Sequence, residues 1–372
     1  MHVLWFNWRC WFNPQAGGAE VHVREVAKRW VKLGHRVTLF CGKYDGCIDH
    51  EESDGVEIIR KGHPYTVYLW AAKQYLRSLK KREYDVVIDD INGVPFFTPL
   101  YVEKPKIALV HHLVKDIFFK ELSWDKAIVG YTAEKMIPFI YHNIPFVTVS
   151  ESTKRDLVQS GIPEANIRII HNGIDQQFLK PKPEFKSPYP HLVYVGRIKR
   201  YKNLDQLLKV LNIVVNLLQK EARNRIRLTI AGRGDCSSLK KLAGRLGIDD
   251  HVEFLGEISD QEKVGLLQSA QIYVTTSIRE GWGLTAMEAM ACGTPVVGYN
   301  VPGLRDSVIN GKTGLLVPYG NVEQLANAII TVLSNQLLEK ELSQDARRWA
   351  TKFDWDDTAK EFIKLLATVA KT

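Results

Sequence analysis

The chain has no CxxC pair and only five cysteines in 372 residues: Cys10, Cys41, Cys47, Cys236 and Cys292. An odd, scattered set argues against a disulfide framework and a structural zinc site, and favours a reducing compartment. No apolar run reaches the roughly 18 residues that a membrane-spanning helix needs. The opening stretch Met1–Phe6 has neither a basic segment nor a small-residue cleavage site, so no secretory leader is expected and the chain reads as cytoplasmic. The charge is not one-sided: 50 Lys and Arg face 42 Asp and Glu. Residues 1–180 carry 24 basic against 21 acidic side chains and the remainder 26 against 21, or +3 and +5. Such an excess demands no nucleic acid, and a bound phosphate accounts for it equally well. GxGxxG does not follow the first apolar run, which weighs against a dehydrogenase.

What is present is regular alternation. Apolar runs at 2–6, 36–41, 56–59, 85–89, 107–110 and 146–149 read as one set of strands. Runs at 192–195, 227–231, 252–255, 272–275, 295–298 and 314–317 read as a second. They are rich in Val, Ile and Leu on both faces, as parallel strands covered by helices must be. Between them lie amphipathic stretches such as 20–32 and 204–218. The pattern predicts an α/β fold with doubly wound parallel sheets. Four prolines fall within 180–190, where neither a helix nor a central strand can continue. The expected organisation is a first domain at 1–180, a stiff linker at 181–190, a second domain at 191–353, and a terminal helix at 354–372 that crosses back to the first.

Glu280-Gly-Trp-Gly-Leu-Thr-Ala-Met-Glu288 follows a strand and sets two glycines before a helix. Small residues there allow close backbone approach, and the amides of a helix start favour a phosphate. Glu280 and Glu288 would stand about 12 Å apart if both were helical. Paired glycosidase carboxylates stand roughly 5–9.5 Å apart. The longer spacing suits hydroxyls at opposite ends of a long ligand. Arg197 and Lys202 sit between a strand end and a helix start, where the dipole prefers anions. A diphosphate would resolve that conflict. Gly232 and Arg233 close another strand at the crevice of the sheet's carboxyl ends, where donor binding is expected and a plain tight βα turn is the competing reading. Gly17 and Gly18 open the helix at 20–32 after a loop containing Trp8, Trp11 and Phe12. A loop that merely needs glycine's conformational freedom competes there with ligand approach. Trp5 and Trp8 read as core. His111 and His112 end a strand, where active sites of open α/β sheets lie.

Together these segments resemble glycosyltransferase family four, retaining enzymes of the GT-B fold with two Rossmann-like domains facing a central cleft. The resemblance rests on Gly17-Gly-Ala-Glu20, the stretch 147–153, His171-Asn-Gly-Ile-Asp175, Gly196-Arg197 with Lys202-Asn203, and the Glu280…Glu288 pair. It implies that Arg197 and Lys202 hold the donor diphosphate and Glu288 the ribose. Glu280, Gly281, Gly283, Leu284 and Thr285 would lie around the sugar, with His111 beside it. Gly17 and Gly18 would approach the diphosphate or the acceptor, and 255–258, ending at Ile258, would lie by the base. The implied activity moves a hexose from a UDP- or GDP-sugar to a hydroxyl of a glycan or lipid-linked acceptor. No metal or cofactor is implied, because cations and amides take over leaving-group stabilisation. His111-His112 departs from the His-Asp often found there, leaving the sugar-side contacts open. A non-catalytic nucleotide-sugar-binding protein and a sugar-nucleotide epimerase of the same fold are the alternatives.

Leu69, Ala72, Leu76 and Leu79 recur at helical spacing among Lys73, Arg77, Lys80, Lys81 and Arg82. A solvated basic face on a core helix explains this pattern, and so does a peripheral contact with the inner face of a membrane.

Overall fold

A computed structural model describes residues 1–179 and 186–371. The chain forms two compact units, one of Met1–Gly173 with Trp355–Thr372 and one of Ile174–Asp354.

The first unit is built on strands β1 (His2–Phe6), β2 (Arg36–Cys41), β3 (His50–Ser53), β4 (Val56–Arg60), β5 (Val86–Ile91), β6 (Lys106–Val110), β7 (Phe146–Thr148) and β8 (Ile167–Ile169). They form one sheet in the order β3-β4-β2-β1-β5-β6-β7-β8, parallel except for β3 against β4. The second unit carries β9 (His191–Val195), β10 (Arg227–Ala231), β11 (Val252–Gly256), β12 (Ile272–Thr275), β13 (Val296–Tyr299) and β14 (Gly314–Val317). Their order is β11-β10-β9-β12-β13-β14, all parallel. In each sheet the chain winds outward from a central strand in both directions. The reversal falls between β1 and β5 in the first sheet and between β9 and β12 in the second. Loops leaving the carboxyl ends of those strands flank the crevice where open α/β sheets bind ligands.

All twelve apolar runs are strands. Sequence patterning does not disclose β3 and β8. The β3 residues His-Glu-Glu-Ser carry no apolar alternation, and β3 exists because it closes a hairpin on β4 through Asp54-Gly55, both at positive φ (53° and 75°). The first unit ends at Gly173 rather than at 180. Ile174 already belongs to the second unit, where its amide donates to Phe353 O at 3.1 Å. Of the proline-rich stretch, 180–185 lie outside the described residues.

The helix Trp355–Val369 belongs to the first unit and packs on the helix Gly18–Lys32. Trp5, Trp30 and Phe362 meet at centroid distances of 5.3–6.0 Å. The Trp30 indole donates to Ala359 O at 2.8 Å. Trp5 is fully buried, as the sequence implies, and Trp8 partly so. Around the helix Val67–Arg77 the expected stripe is corrected. Its buried side is Val67, Ala71 and Tyr75, Leu79 joins the core beyond its end, and Leu69 and Leu76 face solvent.

Phe362→Ala should lower stability by about 3–5 kcal/mol, because it opens a cavity between two indoles. Leu337→Ala, at an exposed site, should change it by no more than about 0.5 kcal/mol. Urea unfolding compares the two, and hydrogen exchange should show the terminal helix as the segment loosened.

Candidate functional site

In the second unit two loops leave the sheet at its reversal point. One, following β9, runs through Gly196 and Arg197 to Asn203; the other, following β12, runs from Thr276 to Gly283. Their backbones are bonded to each other. Ile278 N–H donates to Tyr201 O at 2.9 Å. The Thr276 hydroxyl lies 2.9 Å from Lys202 O and 3.0 Å from Asn203 O. Asn203 takes a left-handed conformation (φ 50°), tolerated best by Asn among non-glycine residues. Its amide group donates to Thr276 O at 3.3 Å and Tyr319 Oη at 3.0 Å. The turn is therefore set by contacts from three segments, and it aims Lys202 at the neighbouring loop.

Lys202 Nζ donates to Glu280 Oε1 at 2.6 Å, with both side chains largely covered. Burial opposes the ammonium, but Glu280, with Tyr201 and Tyr194 nearby, carries the Lys202 pKa above the ordinary lysine value. Tyr201 lies between the two cations: its hydroxyl accepts from Arg197 Nη2 at 3.3 Å, and Lys202 Nζ sits 4.8 Å from its ring centre. Gly283, with φ 73°, is the N-cap of the helix Leu284–Ala291, and no side-chain cap hydrogen bond is made there among the described residues. Two cations, a carboxylate and a helix start without a side-chain cap thus belong to two bonded loops, and the amides of a helix start suit an anion.

Glu280 stands in the loop, ahead of the helix, so helical rise does not set its distance from Glu288. Glu288, within the helix, accepts from Lys263 Nζ at 2.9 Å. Burial raises the Glu288 pKa despite Lys263 alongside. Lys263, which no sequence motif reveals, stands on the helix Asp260–Ser269 just beyond Ile258. Packing alone requires glycine at 232. Its amide donates to Gly256 O at 2.6 Å, and a Cβ would lie 1.9 Å from Gly196 O. Strand ends pack there, and that amide is already used. Arg233 is paired with Glu257 at the surface. Gly303 is a further constraint outside the motifs. A Cβ there would fall 2.0 Å from Glu280 O, so only glycine lets the chain pass beneath the Glu280 loop.

In the first unit the reversal point gathers the loop after β1, the end of β5 and the end of β6. His111 Nε2 lies 3.5 Å from Asp90 Oδ1, longer than a good hydrogen bond. Asp90 also accepts from the Trp5 indole at 3.2 Å. The His111 ring meets His22 edge-on at 5.1 Å, and His22 Nδ1 is 2.7 Å from Asn172 Oδ1. Burial, with His111 beside it, lowers the His22 pKa to about 3, so this ring stays neutral. Thr153 donates to His111 O at 3.0 Å and fixes the strand end. Gly17 offers no spare amide: its N–H donates to Glu20 Oε2 at 2.6 Å, and Glu20 pairs with Arg9. Gly18 begins the helix and is exposed. Asp90 and His22 belong to no pattern that sequence alone singles out, whereas Glu20 closes the motif Gly17-Gly-Ala-Glu20.

Two family models match the chain: Glycosyltransferase Family 4 over residues 16–178 and Glycosyl transferases group 1 over 175–349. A D-inositol 3-phosphate glycosyltransferase of Streptomyces bingchenggensis is 30% identical across 92% of this chain and 83% of that protein. A phosphatidyl-myo-inositol mannosyltransferase of Mycobacterium leprae is 31% identical over 208 residues, 54% of this chain but only 53% of that protein. The solved structure of Anabaena HepE in complex with UDP-glucose superposes with a TM-score of 0.76 at 18% identity, covering 99% of this chain and 100% of that one. With the two halves matched in order and a relative aligned over nearly its whole length, the chain belongs to glycosyltransferase family 4 and has the GT-B fold.

Proposed function

We propose that this glycosyltransferase is a retaining, metal-independent hexosyltransferase that uses a UDP- or GDP-sugar and a hydroxyl of a glycan or lipid-linked acceptor. The observation that carries the reading is the Lys202–Glu280 contact at the sheet's reversal point, beside Arg197 and the uncapped helix start after Gly283. Breaking the bond between the anomeric carbon and the phosphate oxygen leaves its electron pair on the nucleoside diphosphate. Arg197, Lys202 and the amides of Leu284 and Thr285 are oriented toward that charge, which is electrostatic stabilisation of a leaving group. Glu280 would accept from sugar hydroxyls and Glu288 from the ribose. His111, Gly18 and Ile258 are assigned to the sugar, the phosphates or acceptor, and the base. The acceptor hydroxyl attacks on the face from which the phosphate departs, and the departing phosphate oxygen takes its proton. The bound UDP-glucose of the HepE structure supports a nucleotide-sugar donor.

Glu280→Gln and Lys202→Met should each lower kcat by about 10²–10³-fold, the scale of losing one group aimed at developing charge. Circular dichroism should show the fold intact. Near-normal turnover in either variant would remove the basis of the mechanism.

A panel of UDP-, GDP- and ADP-sugars in thermal-shift assays identifies the donor; a ligand at 100 times its Kd should add about 2.7 kcal/mol. Absence of any nucleotide-dependent shift would count against the donor site. Because burial raises the Glu288 pKa, affinity for the nucleoside diphosphate should fall on acidification from a higher pH than an ordinary glutamate would give. The sign follows from the carboxylate being the acceptor: protonation removes that acceptor on one oxygen. Glu288→Gln should bind more weakly and lose this acid limb in calorimetric titrations.

A further inference from the structure

We propose that Lys263 is a positioning residue for the nucleotide: it holds the Glu288 carboxylate in the orientation from which that group accepts from the ribose hydroxyls of a nucleoside diphosphate. This role rests on the assignment of Glu288 to the ribose, and it names the group that orients that carboxylate. Lys263 Nζ lies 2.9 Å from Glu288 Oε1. The start of the helix Asp260–Ser269 prepares its place. Ser259 Oγ accepts there from Glu262 N–H at 3.2 Å, and Glu262 Oε2 accepts in return from Ser259 N–H at 2.7 Å. This reciprocal cap sets the helix from its first turn. Lys263 N–H closes that turn on Ser259 O at 2.9 Å. Leu267, four residues on, is fully buried, so Lys263 stands on the inward face of the helix.

The ammonium is held from three sides. Besides Glu288, Asp260 Oδ1 lies 3.5 Å from it and the centre of the buried Phe178 ring 5.0 Å. A cation tied in this way has little freedom, and the carboxylate bonded to it shares that constraint. An ionised carboxylate has about four lone-pair sites, so the bond from Lys263 orients Glu288 without exhausting it. The pair also acts on the protonation of Glu288. Burial raises the Glu288 pKa, Asp260 and Asp175 add to the rise, and Lys263 opposes all three. Tyr273, on β12, and Cys292, past the end of the helix Leu284–Ala291, also feel the Glu288 charge; burial first, then that charge, pushes both upward, so both face it as neutral groups. Burial opposes the Lys263 ammonium, yet Glu288 and Asp260 carry its pKa above the ordinary lysine value, so the cation persists through the neutral range. Only an ionised Glu288 accepts on both oxygens, and Lys263 is the cation bonded to it.

Calorimetric titration of the full chain with UDP, GDP and their 2′,3′-dideoxy counterparts tests this. Lys263→Met should bind the preferred ribonucleotide about tenfold more weakly, the scale of one charge-assisted hydrogen bond. It should bind the dideoxynucleotide as the parent does, because that ligand offers Glu288 no hydroxyl. On acidification the variant's ribonucleotide affinity should fall from a higher pH than the parent's, since burial and the two aspartates then act on Glu288 unopposed. Adding Lys263→Met to Glu288→Gln should weaken binding no further. Equal weakening toward ribo- and dideoxynucleotides would make Lys263 a general attractor of phosphate and overturn the proposal. Unchanged ribonucleotide affinity or an additive double variant would overturn it too. Where the methionine variant does not fold, Lys263→Leu carries the same expectations. Parent-like binding by Glu288→Gln would remove the ribose assignment itself. Weakened binding by Glu288→Gln beside parent-like binding by Lys263→Met would overturn this proposal alone.

Discussion

The second unit depends on the bonding between two loops that adjoin in space but lie some 75 residues apart in sequence. Ile278 and Thr276 reach the backbone at 201–203, and Asn203 reaches back. With both loops fixed this way, Lys202 and Glu280 have little freedom to separate, and the entropy of holding two long side chains together is already spent in folding. Gly303 completes the arrangement by letting the chain pass within van der Waals distance of the Glu280 carbonyl. A pair formed between mobile surface loops would be worth little. This one is covered and preset, so its charges are aligned before any ligand arrives.

The first unit solves a different problem. Its reversal point holds His22, His111, Asp90 and Trp5 almost without solvent. Asp90 accepts from the Trp5 indole, while His22 Nε2 and His111 Nε2 are buried without a hydrogen-bond partner among the described residues. A neutral His22, locked by Asn172, lends the neighbouring His111 a fixed wall but no positive charge. The two units therefore differ electrically at equivalent places in their sheets. One presents two cations and a helix start; the other presents a histidine over a buried carboxylate.

Much of this was legible in sequence, for identifiable reasons. Parallel strands covered on both faces announce themselves as apolar runs, and all twelve predicted runs are strands. Arg197, Lys202 and Glu280 could be assigned to one site in advance from the family resemblance, and strand-end loops at a reversal point are neighbours by topology. What stayed hidden depends on side chains that no local pattern marks. Lys263 reaches Glu288 from another helix, and Asp90 reaches His111 from the adjacent strand. The polar β3 exists only through its hairpin partner. Gly232 shows another difficulty: the packing that requires glycine there, with a Cβ falling 1.9 Å from Gly196 O, leaves no local signature in the sequence. On the helix Val67–Arg77 periodicity found the amphipathic character but rotated its faces, since Leu69 and Ala71 are both apolar and only the core selects Ala71.

The resting Lys202–Glu280 pair also bears on how a donor would be received. A covered lysine without its partner would be costly, and so would a covered glutamate beside a diphosphate. Paired, the charges of Lys202 and Glu280 cancel. An incoming diphosphate gives Lys202 a second anionic partner without requiring it to lose the first, because an ammonium has three donors. The site can then take up a dianion by sharing hydrogen bonds already formed, instead of first breaking a buried ion pair. As the leaving group gains charge, the lysine's interaction with it strengthens while the one with Glu280 stays constant. That difference, rather than the resting strength of the pair, is what would lower the barrier.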